Sequence, residues 1–303
     1  MNNKDTLYIV DFKSIFYRLT QTKQDIGNVF NTVVELIQQH EGFTSSYNSD
    51  ITFVMDSVEK GVNWRNKMLP SYKENRKVKT RRESKEIEVM RKIYSACCKH
   101  LVQLPFVQVA PADSEADDLV YSVCKHWGAS YKEIKIITPD RDLFLINYFN
   151  KQEIPVYIIP IDTKDSNVYK DKIMLKSGGE EQYFTPEQLY YYKVMVGDSA
   201  DNIKGIRGFG RVAFLNFLAK NPNLEDGLNA YCKEAAPNKV AEVEIIKQVI
   251  SFKLLTKDTV KQPVPITYIV NTVDYDLADR IAGLIAETSG TDEYIDLSPL
   301  QQF

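Results

Sequence analysis

Short apolar runs alternate with segments of helical periodicity in the first half of the chain. In two segments, residues 87–101 and 116–127, apolar residues recur at intervals of three and four, which indicates helices. Strands separated by helices favour βαβ units, so we predict an α/β fold with a mainly parallel central sheet flanked by helices. Four runs rich in β-branched and aromatic residues are the predicted strands: Thr6 to Phe12, Ile51 to Asp56, Phe106 to Ala110 and Ile134 to Thr138.

The second half of the chain has a different pattern. Residues 163–184 are polar and contain a Gly-Gly pair, which favours a hairpin or an excursion from the sheet. A helix start follows, with Thr185 as the N-cap and Pro186 at the first helical position. The remaining sequence is predominantly of helical character. We therefore predict a first domain over residues 1–184 and a helical lobe over residues 185–303.

Composition limits the classes of protein that the chain can belong to. It has 303 residues, of which 44% are hydrophobic and 26% are charged, so it can bury a sizeable core. It has no apolar window of membrane-spanning length and no secretory signal pattern at its N-terminus, so we expect no membrane association and a cytoplasmic location. The four cysteines and three histidines are too scattered for a zinc site or a histidine-centred triad. Chemistry must then rest on carboxylates, lysine and arginine.

Charge is distributed very unevenly along the chain. Between Lys60 and Lys85 there are ten basic and two acidic residues, a local charge of +8 in a chain whose net charge is −3. The block also contains Trp64 and Tyr72, and basic residues interleaved with aromatic ones suit a single-stranded nucleic acid. A solvated loop is the alternative interpretation. Beside an acidic crevice, such a block would attract a polyanion.

Aspartates follow three of the predicted strands. Asp11 and Asp56 close the first two runs, and Asp140 with Asp142 follows the run that ends at Thr138. Aspartate is a common turn and N-cap residue, so each one alone has an ordinary structural explanation. The carboxyl ends of parallel strands, however, meet at one edge of a sheet and line its ligand crevice. We therefore expect these four side chains to converge.

Further acidic residues flank two of the helical segments. Glu115, Asp117 and Asp118 fit the first turn of the helix over residues 116–127, where the helix dipole also favours negative charge. So many carboxylates in one crevice would repel one another without a counter-charge. Divalent, oxygen-preferring cations such as Mg²⁺ or Mn²⁺ supply it, and two such ions about 4 Å apart are the known arrangement for displacement at phosphorus. The predicted metal ligands are Asp11, Asp56, Glu115, Asp117, Asp118, Asp140, Asp142, Asp198 and Asp201.

A glycine-rich segment after the acids at 198 and 201 has the spacing of a helix-hairpin-helix, over about residues 197–218. Its glycines permit a tight turn, and the helix that follows would present backbone N–H groups to a phosphate. A dinucleotide-binding loop would need a preceding strand that is missing from the sequence. A plain helix end followed by another helix is the other alternative. We expect nucleic acid to contact Gly205, Gly208, Gly210 and Arg211 here, and Arg65, Tyr72 and Lys77 in the basic block.

Taken in order, these motifs resemble those of a known family. The aspartates ending two strands, the segment SYKENR, EADD, TPDRD and GDSADNIKGIRGFG resemble the 5′ nuclease superfamily, which includes flap endonucleases and the 5′-3′ exonuclease domain of bacterial DNA polymerase I. The match covers about residues 5–220. Its size makes the chain most similar to stand-alone phage enzymes such as the T5 exonuclease and the T-even ribonuclease H.

The resemblance implies a PIN-like nuclease domain, a helical arch over about residues 57–85 and a DNA-binding lobe with a helix-3-turn-helix. It implies that two Mg²⁺ ions bind the carboxylates, that Lys73 and Arg76 contact the scissile phosphate, and that Tyr72 stacks beside them. It also implies a K⁺ ion at the glycine turn. The expected substrates are DNA with 5′ flaps, nicks or RNA primers, in a bacterial or phage-infected cell. A sliding clamp and a single-strand-binding protein are candidate partners of a monomer.

Three functions are compatible with the sequence. The first is a Mg²⁺-dependent, structure-specific 5′ nuclease that acts in DNA replication and repair, including RNase H-type primer removal. The second is a non-catalytic module of the same fold that binds DNA junctions. The third, a small-molecule phosphohydrolase with Asp11 as nucleophile, is disfavoured because it needs a second aspartate at position 13, which is Lys13.

Overall fold

The computed structural model describes residues 4–21, 27–41, 48–59, 61–77, 91–92, 94–95, 98–99, 101–150, 154–161, 168–177, 180–267 and 269. Its strands are β1 (Lys4–Asp11), β2 (Asp50–Met55), β3 (Val107–Val109), β4 (Tyr131–Ile137), β5 (Val156–Ile159), β6 (Ile173–Ser177), β7 (Glu180–Phe184), β8 (Gly197–Asp198), β9 (Ile203–Lys204) and β10 (Val264–Pro265). Its α-helices are α1 (Phe12–Gln21), α2 (Gly27–Glu41), α3 (Trp64–Met68), α4 (Ala116–Trp127), α5 (Ile146–Phe149), α6 (Pro186–Met195), α7 (Arg211–Lys220), α8 (Leu224–Glu234) and α9 (Val240–Ile250).

A mainly parallel sheet forms the centre of the molecule, as the sequence predicts. β1 lies between β2 and β4, β5 lies outside β4, and β3 and the short antiparallel β10 both pair with β2. The four predicted strands are confirmed, whereas β5 is an addition to them. From β1, the chain adds β2 and β3 on one side and then β4 and β5 on the other, so the strand order reverses between β1 and β4. Such a topological switch point opens a crevice at the carboxyl ends of the strands.

Alternation along the strands builds a separate core on each face of the sheet. In β1, Leu7 and Ile9 belong to one buried cluster, while Tyr8 and Val10 belong to the other. Helix α1 packs on the second face through Phe12 and other apolar side chains of its buried side. Helix α4, which has the predicted period, packs on the first face. Both faces of the central strands are therefore covered, as parallel sheets require.

In its described part, the second half of the chain adds a hairpin and four α-helices. β6 and β7 pair antiparallel, which confirms the predicted hairpin. The capping box at the start of α6 is also present, because Thr185 Oγ1 accepts from Gln188 N at 3.2 Å and Gln188 Oε1 accepts from Thr185 N at 3.0 Å. Helices α6 to α9 contribute to the same buried cluster as β1 and α4. A continuous core thus crosses the boundary predicted at residue 184.

After α9 the chain returns to the sheet instead of continuing as helix. Leu255 N donates to Ser122 Oγ at 2.9 Å, and Lys261 N donates to Gln108 Oε1 at 2.9 Å, before β10 pairs with β2. The prolines at 263 and 265 suit this edge position, where a missing N–H is tolerated. No helix in the described ranges combines the length and apolar character needed to cross a membrane.

Candidate active site

A cavity of about 540 Å³ opens at the carboxyl ends of β1, β2 and β4, where the strand order reverses. Five chain segments, widely separated in sequence, supply its acidic side chains. Nearly all of the predicted metal ligands are among them. The acidic residues that line this cavity are Asp11, Asp56, Glu115, Asp117, Asp140, Asp142 and Asp201.

Asp11 forms the buried floor of the cavity. It is the last residue of β1, and its carboxylate accepts from Thr138 Oγ1 at 2.9 Å and from Ser14 N at 3.2 Å. Burial raises its pKa above the ordinary value, although these two hydrogen bonds favour the charged form. A carboxylate held in this way is costly to ionise unless a cation approaches it.

Asp140 and Asp142 follow β4 in one hydrogen-bonded turn. Thr138 Oγ1 accepts from Asp140 N at 2.9 Å, and Asp140 Oδ1 accepts from Asp142 N at 2.8 Å, so Asp140 is the N-cap of a short 3₁₀ helix over Arg141–Leu145. Burial, followed by the charge of Asp142, raises the pKa of Asp140 to about 7. The turn therefore aims two carboxylates at the same space.

The first turn of α4 sends its acids in different directions. Glu115 and Asp117 line the cavity, and Ala116 N donates to Asp56 Oδ1 at 2.5 Å, which fixes the carboxylate that follows β2. Burial and the neighbouring Asp140 raise the pKa of Asp117 well above its ordinary value. Burial also opposes ionisation of Glu115, but the nearby basic side chains outweigh it and lower the pKa.

Asp118 corrects one of the predictions. It is fully buried, outside the cavity lining, and its oxygens accept from Arg65 Nη1 and Nη2 at 3.1 and 3.0 Å, from Trp64 Nε1 at 2.9 Å and from Lys253 N at 2.9 Å. These donors occupy the lone pairs that a metal ion would need. Asp118 is therefore a structural anchor. The fold does not bring it to the cavity, as the prediction of a metal ligand required.

Arg65 corrects a second prediction, that it contacts nucleic acid. Its guanidinium is buried, binds Asp118 and Glu115, and donates to Val249 O and Ser251 O at 2.9 Å each. Burial alone would lower its pKa, but these two acids outweigh that effect and raise it. Arg65 thus joins α3, the start of α4 and the end of α9 rather than facing a ligand.

We expect Arg65→Met to lower the free energy of unfolding by about 3 kcal/mol, because it leaves the buried Asp118 charge without its ion-pair partner. The estimate is at the low end of the range for broken buried pairs because Asp118 keeps three N–H donors. Urea unfolding measures this loss. Lys67→Met, an exposed lysine in the same helix, is the matched control and should change stability by less than about 0.5 kcal/mol. A loss below about 1 kcal/mol for Arg65→Met would contradict the anchoring role.

Lys73 and Arg76 lie at the edge of the cavity, and the phosphate contact expected of them stays a prediction. Lys73 Nζ is 2.7 Å from Glu115 Oε1, and Arg76 Nη2 is 2.5 Å from Asp201 Oδ1. Their segment is also docked by main-chain contacts, since Lys73 N donates to Asp201 O at 2.9 Å and Asn202 Nδ2 donates to Ser71 O at 2.7 Å. Both cations are therefore positioned against acids of the cavity.

Tyr72 does not fit the predicted stacking role. Its ring is buried, and its hydroxyl donates to Glu115 Oε2 and Asp201 Oδ2, each at 3.0 Å. The hydroxyl bridges the α4 acids and the loop after β8 instead of exposing a ring to bases. Burial, then the charge of Glu115, raises the pKa of Tyr72. The side chain of Lys77 and the predicted arch residues 78–85 lie outside the described part of the chain.

A second acid group adjoins the first. Carboxylate oxygens of Asp142, Asp198 and Asp201 lie within 4.8 Å of one another, a spacing that one cation can bridge. Lys193 of α6 binds two of them, with its Nζ 2.7 Å from Asp142 Oδ2 and also paired with Asp198. Burial would lower the pKa of Lys193, but these acids outweigh it and raise the pKa. Lys193 is not among the site residues predicted from the sequence, because its role depends on acids that other segments bring to it.

The glycine-rich segment is a compact turn before α7. Residues 197–198 and 203–204 pair as β8 and β9, so the predicted helix-hairpin-helix range contains one helix, α7, and the helix before the turn is α6. Gly208 has φ +81°, and a Cβ on Gly205 would lie 2.3 Å from Val196 C, which explains both glycines. Gly210 is the N-cap of α7 and Arg211 its first residue. Phosphate binding at this helix start stays a prediction.

The donor set suits a hard divalent cation. The candidate ligands that line the cavity are all aspartates and glutamates, and no histidine or cysteine of the described residues lines it. Burial, with a smaller contribution from neighbouring carboxylates, raises the pKa values of Asp11, Asp117 and Asp140, so a nearby cation would favour their charged forms. These two observations fit a site for a hard divalent cation.

Comparison with known proteins identifies the relatives of this arrangement. The family model "5′-3′ exonuclease, N-terminal resolvase-like domain" matches residues 6–178. A 5′-3′ exonuclease of Aquifex aeolicus is 25% identical over 255 residues, covering 82% of this chain and 81% of the relative. DNA polymerase I of Bacillus caldotenax is 24% identical over 289 residues, but the chain spans only 30% of that protein.

Solved structures share the fold. A structure of the phage T5 D15 protein co-crystallised with metal ions has a TM-score of 0.58 and 21% sequence identity, covering 94% of this chain and 99% of the other. A phage T5 flap endonuclease in a pseudo-enzyme-product complex with DNA and metal ions has a TM-score of 0.56 and 20% identity, covering 94% and 100%. At this identity the similarity establishes the architecture, and the expected α/β fold is confirmed.

Proposed function

The chain belongs to the 5′-3′ exonuclease family and is a nuclease, and we propose that it is a Mg²⁺-dependent, structure-specific 5′ nuclease that hydrolyses phosphodiester bonds in branched or nicked DNA. One observation carries this proposal. Eight carboxylates, from Asp11 to Asp201, gather in one crevice and its adjoining acid group, with Lys73 and Arg76 at the rim. A binding protein has no use for such a concentration of negative charge next to a polyanion.

Two divalent cations at this site would neutralise the carboxylates, polarise the phosphoryl oxygens and lower the pKa of water. The residues that would hold them are the eight converging acids. Asp11 and Asp140 are positioned by Thr138 and by their own turns, so little rearrangement is needed. Asp118 is excluded from this set because its oxygens are already bonded.

Besides pairing with acids of the cavity, Lys73 and Arg76 would act on the phosphate during the reaction. Lys73 and Arg76 now bind Glu115 and Asp201, and a cation at those acids would free both side chains. The freed ammonium and guanidinium groups would then face a phosphate at the rim of the cavity. Stabilising the charge that develops on phosphate is usually worth a few kcal/mol per donor. We assign Lys73 and Arg76 this catalytic role.

The glycine turn before α7 would hold duplex DNA. The turn before α7 exposes Gly208 and Gly210, and Val212 in the first turn of α7 is 73% exposed, so a backbone can approach the helix start. A K⁺ ion at this turn, RNA-primer removal, a sliding-clamp or single-strand-binding partner and a monomeric state are further elements of the proposal.

Incubation with three 5′-labelled substrates tests the function directly: a flap duplex, a nicked duplex and an RNA-primed duplex. We expect release of short labelled products in Mg²⁺ and none in EDTA, because the carboxylates need a divalent counter-charge. The relative cleavage rates of the three substrates show which of them the enzyme prefers. Equal cleavage in EDTA, or binding of all three duplexes without any cleavage in Mg²⁺ or Mn²⁺, would contradict the proposal.

A further inference from the structure

Helix α1 presents a basic face to the acidic cavity. The helix begins directly after Asp11, and Phe12 is fully buried against the sheet, which fixes the rotation of the helix. The opposite face, which includes Lys13 and Tyr17 one turn apart, lines the cavity. Lys13 therefore reaches the cavity from a rigid element.

Lys13 forms an ion pair with Asp56, the acid that follows β2. Ala116 N already donates to Asp56 Oδ1, so this oxygen is fixed by the start of α4. The other oxygen, Oδ2, accepts from Lys13 Nζ. The ammonium thus occupies the oxygen through which Asp56 would bind a cation in the cavity.

Among the described residues, Lys13, Lys73 and Lys193 bind acids of this site, and they differ in exposure. The side chain of Lys193 is 11% exposed and that of Lys73 is 24% exposed, whereas that of Lys13 is 40% exposed. A lysine that leaves its acid must place its charge in water, since a buried unpaired ammonium is costly. Lys13 is the one of the three that can do this with the least rearrangement.

We propose that Lys13 is an internal counter-ion that occupies Asp56 in the cation-free protein and must be displaced before a divalent cation binds there. This inference rests on the proposed divalent site. The ammonium and the incoming cation carry like charges a few ångströms apart, so Lys13 lowers the affinity of the cavity for the cation. When no cation is present, the positive charge of Lys13 offsets the repulsion among the carboxylates. Lys13 is a positioning residue for Asp56 and an electrostatic competitor.

Mn²⁺ titration of the full chain without nucleic acid tests the proposal. Isothermal calorimetry compares the wild type with Lys13→Gln, which removes the charge but keeps a hydrogen-bond donor, and with Lys13→Met. We expect both variants to bind Mn²⁺ about tenfold more tightly, because a partly exposed charge at this range is only partly screened. Lys13→Arg keeps the charge and should stay within about threefold of the wild type.

Lys132→Met is the matched control. Lys132 is also a lysine paired with an aspartate, Asp5, but it lies at the start of β4, at the opposite end of the sheet. This variant makes the same change in net charge and should leave Mn²⁺ affinity unchanged. If Lys13→Gln and Lys13→Met bind Mn²⁺ no more tightly than Lys132→Met, the proposal is wrong.

The outcomes also separate this inference from the proposed function. If Mn²⁺ binds the wild type and Asp140→Asn weakens that binding, the divalent site stands whatever Lys13 does. If neither the wild type nor any variant binds Mn²⁺, both the site and the inference fall. Thermal unfolding in EDTA reports folding, and loss of the fold in both neutral Lys13 variants would show that Lys13 serves the fold instead of competing with a cation.

Discussion

Replacing Asp140 and Asp142 together by asparagine is expected to lower the single-turnover rate on a 5′-flap duplex by about 10⁴-fold, or about 5 kcal/mol of transition-state stabilisation. The two carboxylates follow β4 in one turn and line the cavity beside Asp11. Asparagine has the same shape and remains a good N-cap, so the 3₁₀ turn should be preserved. The loss would therefore report the missing charge and not a change of fold.

The control for this double variant removes two acids far from the cavity. Asp5→Asn with Glu242→Gln makes the same change in net charge at two exposed ion pairs and should leave the rate within about twofold.

DNA affinity, measured beside the rate, distinguishes a nuclease from a junction-binding module. A nuclease should lose turnover while it keeps its affinity for the flap duplex, whereas a junction-binding module has no turnover to lose. A rate within about tenfold of the wild type would contradict the role of the acids.

The convergence of the acids is the part of the site that the sequence predicts best. Asp11, Asp56 and Asp140 each follow a β-rich run, and the parallel order of the strands is enough to bring their carboxylates to one edge. No long-range side-chain contact has to be known for this inference. The β-rich runs and the acids that follow them are local properties, and for this reason they can be read from one sequence.

The first turn of α4 shows where such reasoning stops. Asp117 and Asp118 are neighbours, and the helical period says only that they point in directions about 100° apart. Which of them faces the cavity is decided by Arg65, located 53 positions before Asp118, whose buried guanidinium binds that carboxylate. An arginine inside a basic block resembles a nucleic-acid contact until its burial is known. The same limit applies to Tyr72, whose hydroxyl binds two acids of the site.

Sequence patterns also could not identify the lysines that bind the acids of the site. Lys13 and Lys193 are ordinary helix positions by period, and their roles come from the acids that other segments bring to them. A motif search that counts carboxylates overlooks their counter-ions. Only the fold shows this balance of charge, because it places Asp56 against Lys13 and Asp142 against Lys193.

Replacing Lys73 and Arg76 together by alanine is expected to slow single-turnover cleavage by about 10³-fold, or about 4 kcal/mol, with a change of less than about threefold in duplex affinity. Both side chains lie at the rim of the cavity, against Glu115 and Asp201, where the proposed reaction would develop negative charge on a phosphate. They belong to the basic segment and not to the glycine turn that is proposed to hold the duplex. A rate effect without an affinity effect is the signature of groups that act mainly in the transition state.

A structural role for the same two residues would give a different result. Lys73 and Arg76 neutralise acids, so their removal could simply disturb Glu115 and Asp201, and saturating Mg²⁺ would then restore the rate by replacing the lost charge. We expect no such rescue, because the missing groups act on the phosphate. Lys132→Ala with Lys239→Ala removes two exposed, ion-paired lysines elsewhere and should leave the rate unchanged. Full rescue by Mg²⁺, or an unaltered single-turnover rate, would remove Lys73 and Arg76 from the chemistry.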